Sequence, residues 1–150
     1  MTAPEHNVHF EVSLSLQRRV VRARLAGLFS VGQMQALAAA LSQATHQFRG
    51  ARHMLVVDMR GLRPLDPHLA KILAEIIVHG RRSGCVLCVH LSDSTVQRLR
   101  AHQVTRESSP SDDFTVDVSS DLEAERVTEE ARSLLDDGRY GASVRDAVAA

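Results

Sequence analysis

Cys85 and Cys88 form a C-x-x-C pair, the spacing used by dithiol redox centres and by half of a zinc site. The pair lies inside Cys85-Val86-Leu87-Cys88-Val89-His90-Leu91, which has the apolar character of a buried strand. A redox pair of this spacing opens a helix, where the macrodipole favours the thiolate. A strand offers no such field, and odd spacing on a strand sends two side chains to opposite faces. The chain has no further cysteine to complete a metal site. The expectation is therefore two reduced, structural thiols on opposite faces of one strand.

The next candidates are acidic and histidine side chains. His68, Glu75 and His79 fall on one apolar-periodic segment, with Glu75 and His79 four apart and within reach on a helix. A metal centre needs at least three convergent ligands, so a solvated helix face with a Glu–His pair is the favoured reading. Asp58 and Asp66 sit near the end of a central apolar run, and paired carboxylates can do acid–base work. Each also has a place in the backbone scaffold, Asp66 as a helix N-cap and Asp58 in the turn toward Gly61. Ser92-Asp93-Ser94-Thr95 is hydroxyl-rich at an expected helix start, where capping accounts for it. The chain contains no G-x-S-x-G, Walker or dinucleotide-binding pattern.

Charge is balanced overall and divided along the chain. Residues 1–106 carry 14 Lys and Arg against 6 Asp and Glu, and residues 107–150 carry 4 against 12. Opposite charges on one chain attract at short range, so the acidic final third is expected to pack beside the basic body. The alternative is a basic face for an anionic partner, with the acidic end as its competitor. Arg18, Arg19, Arg22 and Arg24 cluster early, but the only aromatics are Phe10, Phe29, Phe48, Phe114 and Tyr140. So few stacking side chains argue against a nucleic-acid surface. No apolar run approaches the roughly 18 residues of a membrane span. Met1 to Asn7 lacks a signal-peptide pattern, and a cytoplasmic protein is expected.

These residues need elements to hold them. Val8, Phe10, Val12, Leu14 and Leu16 alternate as a half-buried strand, and Val20 to Leu25 reads as its hairpin partner. Ser30 and Gln33 form a capping box ahead of an apolar stripe that runs to Phe48, with Gly50 as the stop. Met54 to Val57 suits a strand buried on both faces. Asp66 and Pro67 open a second helix, with Leu69, Ile72, Leu73, Ile76 and Ile77 on one side. The Cys85–Leu91 strand follows, then a short helix through Val96 and Leu99 and a loop over 105–113. Phe114 to Val118 reads as an edge strand and Asp121 begins a last helix. The expected organisation is a flexible segment 1–7, one domain over 8–135 and a mobile tail over 136–150. The order β-β-α-β-α-β-α-β-α gives an α/β domain with a mixed sheet and helices packed on it.

Four stretches, in this order, resemble the STAS domain of anti-sigma-factor antagonists. Ala26-Gly27-Leu28-Phe29-Ser30 is similar to the glycine turn leading from the family's second strand into its first helix. Leu55-Val56-Val57-Asp58-Met59-Arg60-Gly61-Leu62 resembles its v-v-l-D-l-s-x-v strand and turn. Leu65-Asp66-Pro67-His68-Leu69 stands where that family has its D-S-[ST]-G switch, and Gly84 to Val89 resembles the strand that follows. The resemblance spans roughly residues 8–135. It implies a non-catalytic regulatory module without a cofactor, whose protein partner is an anti-sigma factor or kinase-like regulator, and it allows a homodimer.

The switch itself departs from the family pattern. Only Asp66 matches; Pro67 and His68 replace the hydroxyl residues and Leu69 replaces the glycine. Proline has neither a hydroxyl nor a backbone N–H, so the ordinary serine phosphoswitch cannot run here. By resemblance, the partner surface is expected to comprise Gly27, Phe29, Ser30, Asp66, Pro67, His68 and Leu69. A small-molecule or lipid carrier, with an apolar pocket between the second helix and the sheet, is the alternative function. Neither reading requires an enzyme or a bound metal.

Overall fold

The computed structural model describes residues 9–94, 114–139 and 142–149. The expected third helix after Ser92, the loop over 105–113 and the segment 1–7 lie outside the described residues. Alternation in the first segment gives β1, Phe10–Ser15, and β2, Val20–Gly27, which pair antiparallel through a turn where Arg19 takes φ 60°. The capping box forms as expected. Ser30 Oγ accepts from Gln33 N–H at 3.2 Å and Gln33 Oε1 accepts from Ser30 N–H at 2.7 Å, starting α1, Val31–His46.

β3 spans His53–Leu62, longer than its apolar core implies. It runs past Asp58 to pair with the end of β2, Ala26 with Gly61 and Gly27 with Leu62. Gly61 therefore lies within a strand rather than at a turn. A Cβ there would stand 3.3 Å from Ala26 Cβ, tight enough to explain the glycine. Asp66 Oδ1 accepts from Leu69 N–H at 2.9 Å to cap α2, Pro67–Arg82, with Pro67 at its start. β4, Cys85–Leu91, and β5, Thr115–Val118, complete a five-stranded sheet in the order β1-β2-β3-β4-β5. β2 through β5 run parallel and β1 alone is antiparallel.

Helices cover both faces of this mixed sheet. α1 and α2, the crossovers of the parallel strands, bury Met34, Leu37, Leu69, Leu73 and Ile77 over Val21, Ala23, Leu25, Leu55 and Val57. On the other face, α3, Asp121–Asp136, packs Ala124, Val127 and Ala131 over Met54, Val56, Leu87 and Val89. Residues 136–150, expected as a tail, instead carry a further helix, α4, Ala142–Ala149. Val144 and Val148, four apart and fully buried, seal the end of this second core. Two valines among alanines and charges are too short a pattern to announce a helix. Among the described residues, no helix is long and apolar enough to cross a membrane.

The expected placement of the cysteines is corrected by a β-bulge. His53 pairs with Cys85, but Met54 pairs with Leu87, so β4 carries one extra residue at Val86. Val86 and Leu87 both turn toward the second core. Parity is reset, and Cys85 and Cys88 both enter the first core under α1 and α2. Both thiols are buried and neither is in a disulfide. Burial pushes the Cys85 thiol up to about 12, and its Sγ donates to Leu87 O at 3.3 Å. A thiol probe at pH 8 should therefore leave the native protein essentially unmodified and label both cysteines once denaturant is added. Rapid labelling of both in the native state contradicts this placement.

Candidate functional site

Because β2 and β3 are parallel neighbours, the chain leaves both at the same end of the sheet. The starts of α1 and α2 therefore lie together there. The exit of β2 is tightly held. Gly27 has φ +74°, Arg63 N–H donates to Gly27 O at 3.0 Å, and Ala26 N–H donates to His9 O at 2.8 Å. A Cβ at Gly27 would come within 2.9 Å of His9 Nδ1, so both backbone angle and space demand glycine. The His9 ring sits 6.0 Å from the ring of Phe29 and braces the turn from below.

The seven expected surface residues divide at this end. Ser30, Asp66, Pro67 and His68 are exposed, and Gly27 is half-buried. Phe29 and Leu69 are buried in the first core, where they fix the bases of the two turns and are not open to a partner. Leu28, inside the expected Gly27–Ser30 turn but not among those seven, and Val31, outside it, present apolar side chains that are 66% and 43% exposed. Val31 fits the apolar stripe of α1 by spacing, but as the first residue after the cap it receives no cover. A leucine directly beside a glycine turn and ahead of an N-cap was the available signal for Leu28.

A second constellation lies on the opposite face, where β1 and β2 extend beyond the cover of α3 and α4. A polar cleft of about 340 Å³ is lined by Glu11, Ser13, Arg22, Arg24, Asp58, Arg60 and Asp121. Asp58 is its buried member. Its two carboxylate oxygens accept from Arg60 Nε at 3.0 Å and Nη2 at 2.9 Å, and Oδ1 also accepts from Arg60 N–H at 3.1 Å. Burial works against the Asp58 charge, but these bonds and the nearby Arg22 guanidinium outweigh it and hold the carboxyl below its ordinary value. Asp121, at the start of α3, accepts from both Arg60 at 2.9 Å and Arg22 at 2.8 Å. Asp58 and Asp66 thus do separate structural work, one tying sheet to helix and the other capping α2. They do not form an acid–base pair.

A third feature is a largely apolar cleft of about 510 Å³ between the C-terminal halves of α1 and α2. Leu41, Leu55, Ile72 and Ile76 contribute to its walls, and Glu75, His79 and His46 contribute polar groups. His53 also lines it, at 1% exposure, with its ring stacked on Phe48 at 4.4 Å between centroids. Burial keeps the His53 pKa below its ordinary value, with the Ala51 carbonyl acting the other way. His68 is absent from this lining, so α2 separates it from Glu75 and His79. Among the described residues, no group of three or more His, Cys, Asp or Glu side chains could hold a metal ion.

The Asp58 network makes a pH-dependent prediction. Because the folded carboxyl is held below its ordinary value, the stabilisation is fully present above about pH 4 and is lost as pH falls through the folded value. Asp58→Asn should lower stability at pH 7 by about 1.5–3 kcal/mol, the range for a hydrogen bond to a charged group. Urea titrations of the two proteins should converge as pH drops below about 4. A pH-independent difference contradicts the charge assignment. Comparison with protein-family models gives no match to this chain, and comparison with curated proteins gives none either.

Proposed function

We propose that this chain is a non-catalytic, STAS-like protein-interaction module of bacterial regulation, acting in the cytoplasm without a serine phosphoswitch. The observation that carries this reading is the exposure of Leu28, Val31 and His68 on two capped helix starts at one end of the sheet. Exposed apolar side chains on a rigid support favour a protein partner, since their desolvation contributes to binding while little order is lost. The partner class, an anti-sigma factor or kinase-like regulator, follows from the resemblance around Asp58 and Asp66. At the switch position, the Asp66 carboxylate is engaged by Leu69 N–H and Pro67 offers no hydroxyl. Regulation by phosphate transfer to that turn is therefore replaced by a constitutive surface.

The cleft between α1 and α2 favours a second reading, a small-molecule carrier. Its volume of about 510 Å³ falls in the range of ligand pockets. The two readings use opposite ends of the first helical layer, so they are separable by mutation.

The test is recovery of partners from the native host by wild type, His68→Ala and Leu28→Glu. Both variants should unfold within about 0.5 kcal/mol of wild type, as surface changes do. Recovery of a kinase-like or anti-sigma partner should fall by about tenfold, equivalent to roughly 1.4 kcal/mol. Equal recovery of every partner by all three proteins removes this end of the sheet as the interaction surface.

A further inference from the structure

We propose that the cleft between α1 and α2 takes a small apolar molecule carrying one N–H or O–H donor, which it directs to Nε2 of His53. This deepens the carrier reading and rests on it for the cleft alone. His53 Nδ1 lies 2.9 Å from the carbonyl oxygen of Ala51. A carbonyl only accepts, so Nδ1 carries the ring proton and a neutral ring leaves its lone pair on Nε2. That atom is buried and, among the described residues, nothing donates to it. A buried acceptor without a donor is costly, and native proteins rarely tolerate one without a reason.

The position of the ring explains why the chain itself does not satisfy it. His53 is the first residue of β3, held by its N–H bond to Gly84 O at 3.1 Å and by the stack on Phe48. Its ring is thereby fixed as part of the cleft wall. Around it the walls come from Leu41, Leu55, Ile72 and Ile76, and although Ser42, Thr45 and Ser83 also line the cleft, none of them bonds Nε2. The cleft thus pairs a largely apolar enclosure with one unsatisfied buried acceptor, a polar contact that can orient a ligand. Glu75, His79, His46 and the hydroxyls of Ser42, Thr45 and Ser83 make up the rest of the polar lining, so a ligand polar at a second point would find partners there. The site opens beside the C-terminal halves of α1 and α2, away from the capped ends that carry Leu28 and His68.

Indole and 1-methylindole are matched probes, close in shape and differing in the donor. With isotope-labelled full-length protein, indole should cause saturable NMR shifts in the methyl groups of Leu41, Ile72 and Ile76 and in the His53 ring nitrogens. 1-Methylindole should bind at least tenfold more weakly. His53→Phe keeps a ring against Phe48 but removes Nε2, and should bind the two probes equally. Ala38→Trp, which places bulk at a lining position, should abolish both and serves as a second variant should His53→Phe fail to fold. Equal affinity of wild type for both probes, or a preference for indole that survives in His53→Phe, overturns the His53 assignment and leaves the carrier reading standing. Absence of saturable binding by both probes overturns the site and the carrier reading together.

Discussion

β3 is covered on both faces and paired along both edges, by β2 on one side and β4 on the other. From Met54 to Met59 its side chains are all buried, and every one must therefore be either apolar or satisfied. Asp58 is the charged exception, and the fold is arranged around meeting its needs. Arg60, two residues along the same strand and so on the same face, supplies both guanidinium and backbone donors. Its second use, on Asp121, fixes the start of α3 over the sheet. The position of the second helical layer thus follows from a requirement that originates in the central strand.

The division of charge along the sequence has the same outcome. Arg18 meets Glu125 at 3.4 Å, Arg19 meets Asp136 at 3.3 Å, and Arg22 meets Asp121 at 2.8 Å. The basic hairpin and the acidic α3 are therefore partners within one molecule, as the shorter-range reading expects. Each exposed pair contributes little by itself, being screened by solvent. Their value lies in orientation, since the pairs span α3 from its first turn to its last. Arg24, on the same face, lines the polar cleft with Glu11 and Asp121.

What could be read from the sequence was whatever local chemistry decides. The Ser30–Gln33 box and the Asp66–Pro67 start depend on contacts three residues apart, and both helices begin where those signals lie. The α/β class followed from periodicity and order. The misplacement of Cys85 and Cys88 has a different origin. Parity along a strand assumes unbroken pairing, and the extra residue at Val86 is a property of how β4 meets β3, invisible to β4 alone. The exposure of Leu28 and Val31 was hidden for a similar reason, because spacing marks a face but not where the neighbouring layer ends. His53 gave no sign of its bare nitrogen, since the carbonyl that sets its proton and the cleft that encloses it belong to other segments.

The two helical layers also differ in when they can exist. α1 and α2 are themselves the crossovers between β2, β3 and β4, so the first core closes as those strands associate. The second core waits for α3 and α4, both made after β5. Until then, among the described residues, nothing else covers the apolar sheet face of Met54, Val56, Leu87 and Val89. A growing chain of this kind is adhesive on one side only, and the short α4, with Val144 and Val148, is the piece that ends that interval.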